Sequence, residues 1–286
     1  MRPAVLRVEF SLPEGLADWA GQALADLLPE GLLSAPAPAG LARLRGWARD
    51  PAVRPLLKKR LTGLGALATR FRLEPGKDWL VKSKGRFPTQ KIGPFLVVPA
   101  WEKRAPMARG LPIRLLQGQA FGTGLHESTR LMLKALGRHP WRGGERVLDV
   151  GAGSGILGFA CLLKGAGKVD AVEVEKAACR EMESNRRENR VPPARMRVLA
   201  GAFPQVAGLG SGRYDLVLAN LTAELLAPRL KALRARLGPE SRLALSGIHG
   251  PGELEHLEAK CRSNRLQVTE TGRLGAWRFL AARRSA

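Results

Sequence analysis

The chain has 286 residues, 45% of them hydrophobic, so its length and composition allow one or two domains with a substantial core. It contains no run of eighteen apolar residues and no long apolar N-terminal segment, which argues against a transmembrane helix and a signal peptide. Lys and Arg number 47 against 25 Asp and Glu, and the net charge of +22 indicates either attraction to polyanions such as RNA or a general basic bias of the proteome.

Residues 1–77 predict a small α+β domain. The first apolar stretch alternates with polar residues, as a half-buried strand does, and the next has apolar residues at helical spacing. A cluster of Pro, Ala and Gly at 36–40 breaks the chain, and the surrounding stretch gives no clear pattern. The predicted elements are a strand over 4–12, a helix over 13–28, a short basic helix over 50–64 and a strand over 66–73.

Basic residues concentrate between residues 43 and 91, where only Asp50, Glu74 and Asp78 oppose them. The segment is interpreted either as a patch that docks on RNA or as the solvated face of the small domain. Its basic residues are Arg43, Arg45, Arg49, Arg54, Lys58, Lys59, Arg60, Arg70, Arg72, Lys77, Lys82, Lys84, Arg86 and Lys91.

Residues 78–118 predict a linker, because they are rich in Gly, Pro and Lys. Within them, 95–101 is a strand candidate. After this linker the pattern changes, and residues 119–286 predict a second, larger domain.

The larger domain alternates apolar strands with helices of ten to fifteen residues, a pattern typical of a mostly parallel sheet with helices on both faces. Two final strands joined by a short turn at Gly275 must pair antiparallel, so the fold class is α/β with an antiparallel C-terminal edge. The predicted strands span 145–151, 168–175, 195–203, 214–221 and 241–248, and the final strand pair spans 266–284. The predicted helices between them span 155–167, 176–190, 223–238 and 252–264.

A glycine turn, Gly151-Ala152-Gly153-Ser154-Gly155, lies between a predicted strand and a predicted helix. Glycine lets the backbone turn tightly and approach a ligand closely. Glu173 ends the next strand, where a carboxylate can accept hydrogen bonds from both hydroxyls of a ribose. These features predict a nucleoside-binding site.

The cofactor class follows from a resemblance. Asp149-Val150-Gly151-Ala152-Gly153-Ser154-Gly155 resembles the first motif of class I S-adenosylmethionine-dependent methyltransferases, whereas a dinucleotide turn would favour G-x-G-x-x-G. In that superfamily the loop holds the methionine and ribose parts of the cofactor. The closing antiparallel strand pair also resembles that superfamily.

Asn220 ends the strand of "YDLVLANL", at the carboxyl edge where open α/β sheets place ligands. Its amide can both donate and accept, so Asn220 is a candidate for orienting a substrate nitrogen. The alternative is a turn residue at the end of a strand. Nucleic-acid amino-methyltransferases have Asn or Asp followed by Pro-Pro-aromatic here, whereas this chain has Leu221-Thr222-Ala223, which disfavours methylation of a base.

The segment "AFGTGLHEST", immediately before this core, resembles the Phe-Gly-Thr-Gly-x-His-x-Thr-Thr run of the ribosomal protein L11 methyltransferase family (PrmA type). "DWLVKSKGRFPTQKIGPFLVVPAW" is similar to that family's linker, and "VLANLTAELL" and "LALSGI" are similar to its fourth and fifth strands. The resemblance covers about residues 78–283. It implies methylation of amino groups on the ribosomal protein, with S-adenosylmethionine as cofactor and a small N-terminal domain that recognises the substrate.

The resemblance also implies site residues. Thr129, Gly151, Glu173 and Asn220 match the family's cofactor contacts, and Gly153 belongs to the same turn. Phe121, Thr123 and His126 lie on a loop that would fold over the cofactor and line the lysine entrance. The chain departs from the family pattern by Ser128 for Thr, by Glu173 for the commoner Asp, by the lack of an acid-Pro-Gly before the loop, and by its strongly basic charge.

Methyl transfer needs positioning and desolvation of the amine more than a strong base, because the methyl donor is already activated. His126 is therefore interpreted as a group that orders its loop by hydrogen-bonding the backbone, with a general base as the alternative. Trp101 and Trp141 are interpreted as packing residues, with a substrate cage as the alternative. His139, His249 and His256 lack metal-ligand spacing and are interpreted as structural or surface residues, so no metal site is expected.

Three functions remain open on the sequence alone. The first is a methyltransferase acting on lysine or N-terminal amines of ribosomal protein L11. The second is an rRNA methyltransferase that docks through its basic region, and the third is a nucleoside-binding scaffold without activity.

The cysteines Cys161, Cys179 and Cys261 form no C-x-x-C pair, so no disulfide framework is expected and a location in the cytoplasm agrees with the sequence. The protein is also predicted to be a monomer that does not contact a membrane.

Overall fold

The computed structural model describes residues 4–16, 20–21, 23–24, 27–28, 32–35, 37–48, 50–75, 88–102, 109–116 and 126–285. Within these residues the chain divides into two compact units. The smaller unit extends to Pro88, and the larger unit begins at Thr89. None of the helices in the described ranges is long and apolar enough to cross a membrane.

The smaller unit is built on a four-stranded antiparallel sheet with the order β2-β3-β1-β4. Leu6, Val8, Phe10 and Leu12 alternate along β1 and are buried together with leucines that lie outside the sheet. The unit is therefore the predicted α+β fold. Its strands are β1 Ala4–Pro13, β2 Leu32–Ala35, β3 Leu41–Ala48 and β4 Leu67–Pro75, and its helix α1 spans Arg54–Gly63 after a 3₁₀ turn at Pro51–Val53.

The start of α1 follows from local sequence. The Asp50 side chain accepts a hydrogen bond from the Ala52 amide at 2.9 Å, and Pro51 occupies the first position of the turn, as predicted. The helix predicted over 13–28 is described only in part: β1 extends to Pro13, Glu14–Leu16 form a 3₁₀ turn, and residues 17–19, 22 and 25–26 lie outside the described residues. Where it is described, the Leu28 amide donates to the Leu24 carbonyl at 2.7 Å, which is the helical i to i−4 pattern.

Strands β2 and β3 were not predicted. In β3 the alternation of Ala42, Leu44 and Ala48 with arginines is interrupted by Gly46, which has no side chain to mark its face. Gly46 lies on the buried face, where an added Cβ would stand 2.8 Å from Leu28 Cδ1. Because Leu28 packs closely against the strand, this buried position has room only for glycine. The apolar side chain that would have continued the strand pattern is therefore missing from the sequence.

The larger unit contains a three-stranded sheet within the predicted 78–118 linker. Its apolar side chains belong to the same core as the main sheet, so residues 89–102 and 109–116 pack as part of this unit. The sequence predicted one of these strands, and the domain boundaries at 77 and 118 stay predictions. The three strands are β5 Gln90–Ile92, β6 Phe95–Pro99 and β7 Leu111–Leu115.

The main sheet has seven strands in the order β10-β9-β8-β11-β12-β14-β13. The first five are parallel, whereas β14 is antiparallel to both of its neighbours, which confirms the predicted fold class. The strands are β8 Arg146–Val150, β9 Lys168–Glu173, β10 Met196–Ala200, β11 Tyr214–Asn220, β12 Leu237–His249, β13 Leu266–Leu274 and β14 Trp277–Arg284.

Helices cover both faces of this sheet and create two cores. The helix predicted over 223–238 is broken into two by a 3₁₀ turn at Ala227–Arg229, because Pro228 cannot donate a helical hydrogen bond. The helices are α2 Glu127–Arg138, α3 Ile156–Leu163, α4 Lys176–Glu188, α5 Ala223–Leu226, α6 Leu230–Ala235 and α7 Gly250–Ser263.

The order of the strands positions the site. The chain proceeds outward from β8 to β9 and β10, then returns to β11 on the other side of β8. This reversal is a topological switch point, where open α/β sheets bind ligands outside the carboxyl ends of their strands. The glycine turn follows β8, and Asn220 ends β11, so both lie at this point.

Candidate functional site

The turn between β8 and α3 requires glycine. Gly151, Gly153 and Gly155 have φ angles of 71°, 54° and 82°, in the left-handed region that side chains disfavour. A Cβ added at Gly151 would stand 2.5 Å from Leu221 Cδ2. The turn therefore lies directly against the residue that follows Asn220.

Glu173, at the end of β9, holds this turn. Its Oε2 accepts a hydrogen bond from the Gly153 amide at 2.9 Å, and its Oε1 accepts one from the Glu175 amide at 2.9 Å. Each carboxylate oxygen can accept a second hydrogen bond, so the residue can also receive the hydroxyls of a bound ribose. The sequence predicted a binding role for Glu173 and did not predict its support of the turn.

Asp149 is a buried carboxyl at the end of β8. It is 1% exposed, and neither carboxylate oxygen has a hydrogen-bonding partner within the described ranges. Burial, together with the nearby negative charge of Glu173, raises the pKa of Asp149 to about 7. The backbone amide of Gly158 points toward the carboxylate and lowers this pKa in part, although its geometry does not satisfy a hydrogen bond. A buried acid of this kind is suited to a cationic ligand.

Replacing Asp149 by asparagine tests this charge. An aspartate in the unfolded chain has a pKa of about 3.9, whereas Asp149 in the folded protein has a pKa of about 7. The contribution of Asp149 to stability is therefore fully present below the unfolded pKa and is lost as the pH rises through the folded pKa. Relative to Asp149→Asn, the wild-type free energy of unfolding should fall by about 2–3 kcal/mol between pH 5 and pH 8. Urea unfolding of both proteins at the two pH values measures this difference, and parallel profiles would contradict it.

Asn220 and Thr129 meet at the carboxyl edge of the sheet. The Asn220 Nδ2 lies 3.3 Å from Thr129 Oγ1 and donates to it, which joins β11 to the first turn of α2. The Asn220 Oδ1 is buried and has no partner within the described residues, so an acceptor stays open. The structure thus brings together four predicted site residues, Thr129, Gly151, Glu173 and Asn220, around one edge of the sheet.

His126 begins helix α2 as its N-cap residue. Its Nδ1 accepts a hydrogen bond from the Ser128 amide at 3.3 Å and lies 2.7 Å from the Ser128 hydroxyl oxygen. This contact orders the start of the helix that carries Thr129. Phe121 and Thr123, the other residues of the predicted lid, lie outside the described residues, so the lid stays a prediction.

The sequence reasoning missed Asn185, a fully buried residue of helix α4. Its Oδ1 accepts from the Leu116 amide at 2.7 Å, and its Nδ2 donates to the carbonyl of Ser154 in the glycine turn at 3.0 Å. Asn189, four residues later, hydrogen-bonds both the amide and the carbonyl of Arg114. Two asparagines four residues apart, at the end of a predicted helix, are a sequence signal for a polar contact on that face but do not identify its partners.

Replacing Asn185 by alanine should loosen the glycine turn. The change leaves the buried Ser154 carbonyl without this partner, at a cost of about 1–3 kcal/mol, and also frees the part-buried Leu116 amide, so we expect roughly tenfold weaker cofactor binding. Calorimetry with S-adenosylmethionine measures the affinity. Ser184→Ala is the matched control, since the Ser184 hydroxyl bonds the Arg180 carbonyl within the same helix. Equal cofactor affinities for the two variants would show that Asn185 does not support the cofactor site.

Metal ligands were not expected from the sequence. In the described part of the chain, no group of three or more His, Cys, Asp or Glu side chains is placed to hold a metal ion. The three cysteines are buried and free.

Comparisons with known proteins identify similar chains. A family model described as "Ribosomal protein L11 methyltransferase (PrmA)" matches residues 51–285. The ribosomal protein L11 methyltransferase of Syntrophotalea carbinolica is 39% identical over 191 residues, which are 66% of this chain and 61% of that protein. The protein of the same name from Synechococcus sp. is 34% identical over 229 residues, which are 78% of this chain and 74% of that protein.

A third relative, from Thermus thermophilus, is 39% identical over 172 residues, which are 60% of this chain and 64% of that protein. The chain therefore spans about three fifths of the length of several curated relatives that it matches. Among solved structures, a ribosomal protein L11 methylase from Lactobacillus delbrueckii subsp. bulgaricus matches with a TM-score of 0.61 and 29% identity. That match covers 68% of this chain and 96% of the other.

Proposed function

Because the chain belongs to the ribosomal protein L11 methyltransferase (PrmA) family, we propose that it transfers methyl groups from S-adenosylmethionine to amino groups of ribosomal protein L11. The acceptors are lysine side chains, the N-terminal amine, or both. The observation that carries this proposal is the meeting of the glycine turn and Asn220 at one edge of the sheet. We propose that the protein acts in the cytoplasm as a monomer, with its small N-terminal domain recognising L11.

The residues around the glycine turn fit S-adenosylmethionine, a cationic nucleoside without phosphate. Gly151 and Gly153 allow a ligand to approach the backbone, and Glu173 keeps acceptor capacity for the ribose hydroxyls. The unpartnered carboxylate of Asp149 offers negative charge, and Thr129 offers a hydroxyl. When bound, the cofactor supplies a methyl group activated by a positively charged sulfur.

Asn220 would position the amine that receives the methyl group. Its open Oδ1 can accept a hydrogen bond from the amine and so direct the nitrogen lone pair. A lysine amine, with a pKa of about 10.4 in water, must first lose a proton, and removal from water at the buried edge favours the neutral form. No separate base is needed, and His126 Nδ1 is already engaged as the helix cap.

Exposed arginines support a further part of the proposal, which is docking on ribosomal RNA. The register places them on the side of the small sheet opposite its core, in line with the outward residues of β1. Two further arginines on this face are paired with Glu9 and Glu74. The exposed arginines are Arg43, Arg70 and Arg72, and the paired ones are Arg45 and Arg7.

One experiment separates the candidate functions. The protein is incubated with tritiated S-adenosylmethionine and either free L11 or ribosomes, and RNA is then separated from protein. Label in L11 is the expected result. Label in RNA would overturn the proposal in favour of an rRNA methyltransferase, and no label in any acceptor would favour a nucleoside-binding scaffold. For docking, RNA affinity must fall steeply with salt, and a slope near zero would exclude it.

A further inference from the structure

Three aromatic rings stand together near Asn220, and we name His126, His249 and Trp277 the aromatic wall. The Trp277 ring meets the His126 ring edge-on, with centroids 4.4 Å apart at 67°, and the His249 ring at 5.2 Å and 76°. From the sequence, His249 was interpreted as a structural or surface residue, and Trp277 was not predicted to have a role. In the structure, both histidine rings contact the ring of Trp277.

The strand register places this wall at the carboxyl edge of the sheet. Asn220 pairs with Ser246 across β11 and β12, and His249 lies three residues farther along β12, where it pairs with Trp277 of β14. His126 lies one helical turn before Thr129, whose hydroxyl accepts from Asn220. The aromatic wall therefore lies beyond Asn220 in the direction of the carboxyl ends of the strands, which is the edge where ligands bind.

The wall lies on the other side of Asn220 from the glycine turn and Glu173. In the sheet, β8 and β9 with the glycine turn and Glu173 are on one side of β11, whereas β12 and β14 are on the opposite side. A methyl acceptor must approach from the side that the cofactor leaves free. Trp277 and His126 are only partly buried and His249 is exposed, so the wall can be reached by a ligand.

Aromatic rings suit the chemistry of such an acceptor. A lysine side chain presents four methylenes and an ammonium, and tryptophan attracts both, the methylenes by apolar contact and the cation through its π-system. A methylated ammonium loses N–H donors but keeps its charge, so rings can hold it when a hydrogen-bonding amide cannot.

We propose that Trp277, held between His126 and His249, contacts the alkyl chain of the substrate amine before transfer and the methylated ammonium after it, on the side of Asn220 opposite the glycine turn. This inference rests on the proposed function. It assigns to this chain a substrate-contacting residue in addition to Asn220.

The test is Trp277→Leu, which keeps an apolar side chain and removes the ring. With L11 and S-adenosylmethionine, we expect the KM for L11 to rise about tenfold and the Kd of the cofactor, measured by calorimetry, to stay within about twofold. Trp277→Phe should restore most of the wild-type KM. Trp141→Leu is the matched control, because Trp141 meets His139 edge-on at 4.6 Å just after the other end of helix α2.

The outcomes are distinguishable. No methyl transfer by the wild-type protein to L11 or any other amine would defeat the proposed function itself. An active wild type with an unchanged KM in Trp277→Leu, or an equal loss of cofactor affinity, would overturn the inference. If thermal unfolding shows that Trp277→Leu does not fold, His249→Ala tests the same wall from an exposed position, and an unchanged KM there would overturn it.

Discussion

Gly151→Val should abolish binding of S-adenosylmethionine at concentrations that saturate the wild-type protein. The residue has a φ of 71°, which a β-branched side chain adopts only with strain. Its new Cβ would stand 2.5 Å from Leu221 Cδ2 and 3.1 Å from Leu221 Cγ. Relief of this clash requires a shift of the Leu221 side chain or of the turn itself, next to Asn220. We expect a loss of affinity on the order of 100-fold or more.

Calorimetric titration measures the affinity, and thermal unfolding reports whether the variant folds. Gly143→Val is the matched control, because Gly143 has a φ of 87° but no atom lies within 4 Å of an added Cβ. That variant carries the same backbone strain, about 1–2 kcal/mol, without the clash, and should bind like wild type. If folded Gly151→Val also binds like wild type, the glycine turn is not the cofactor site.

The sequence predicted those parts of the site that are encoded locally. Gly151, Gly153 and Glu173 lie within a strand-turn-helix-strand unit, where glycine spacing and the position of an acid carry the information. The seven-stranded sheet was predicted for the same reason, since each of its strands and each helix between them has its own apolar pattern.

The parts that the sequence did not predict depend on contacts between distant segments. Asn185 acts through backbone groups of Leu116 and Ser154, which lie 69 and 31 residues away. Trp277 meets His126 across 151 positions of the chain. Neither partner choice leaves a periodic signal, because a hydrogen bond or ring contact of this kind depends on how the sheet is assembled.

Asp149 illustrates a conflict between stability and function. A buried carboxyl without a hydrogen-bonding partner in the described part of the chain is unfavourable when charged, which its raised pKa of about 7 expresses. A cationic ligand beside it would favour the charged form and so recover that free energy on binding. Binding of such a ligand should therefore strengthen as the pH rises through 7, whereas the stability contribution of Asp149 weakens over the same range.

If the chain methylates L11 as proposed, Asn220→Ala should lower the rate of transfer by about 100-fold, because misplacement of a reacting group by about 1 Å has an effect of that size. The variant loses the hydrogen bond to Thr129 Oγ1 and the open acceptor Oδ1, while the glycine turn and Glu173 keep their contacts. Cofactor affinity should therefore fall much less than kcat.

Single-turnover assays with saturating cofactor measure the rate, and calorimetry measures the affinity separately. Asn264→Ala is the matched control, because the Asn264 amide donates to the Lys260 carbonyl at the exposed end of α7. That variant should keep wild-type kcat. A rate within about threefold of wild type for Asn220→Ala would mean that Asn220 only ends its strand, and that the amine is positioned by other groups at the carboxyl edge.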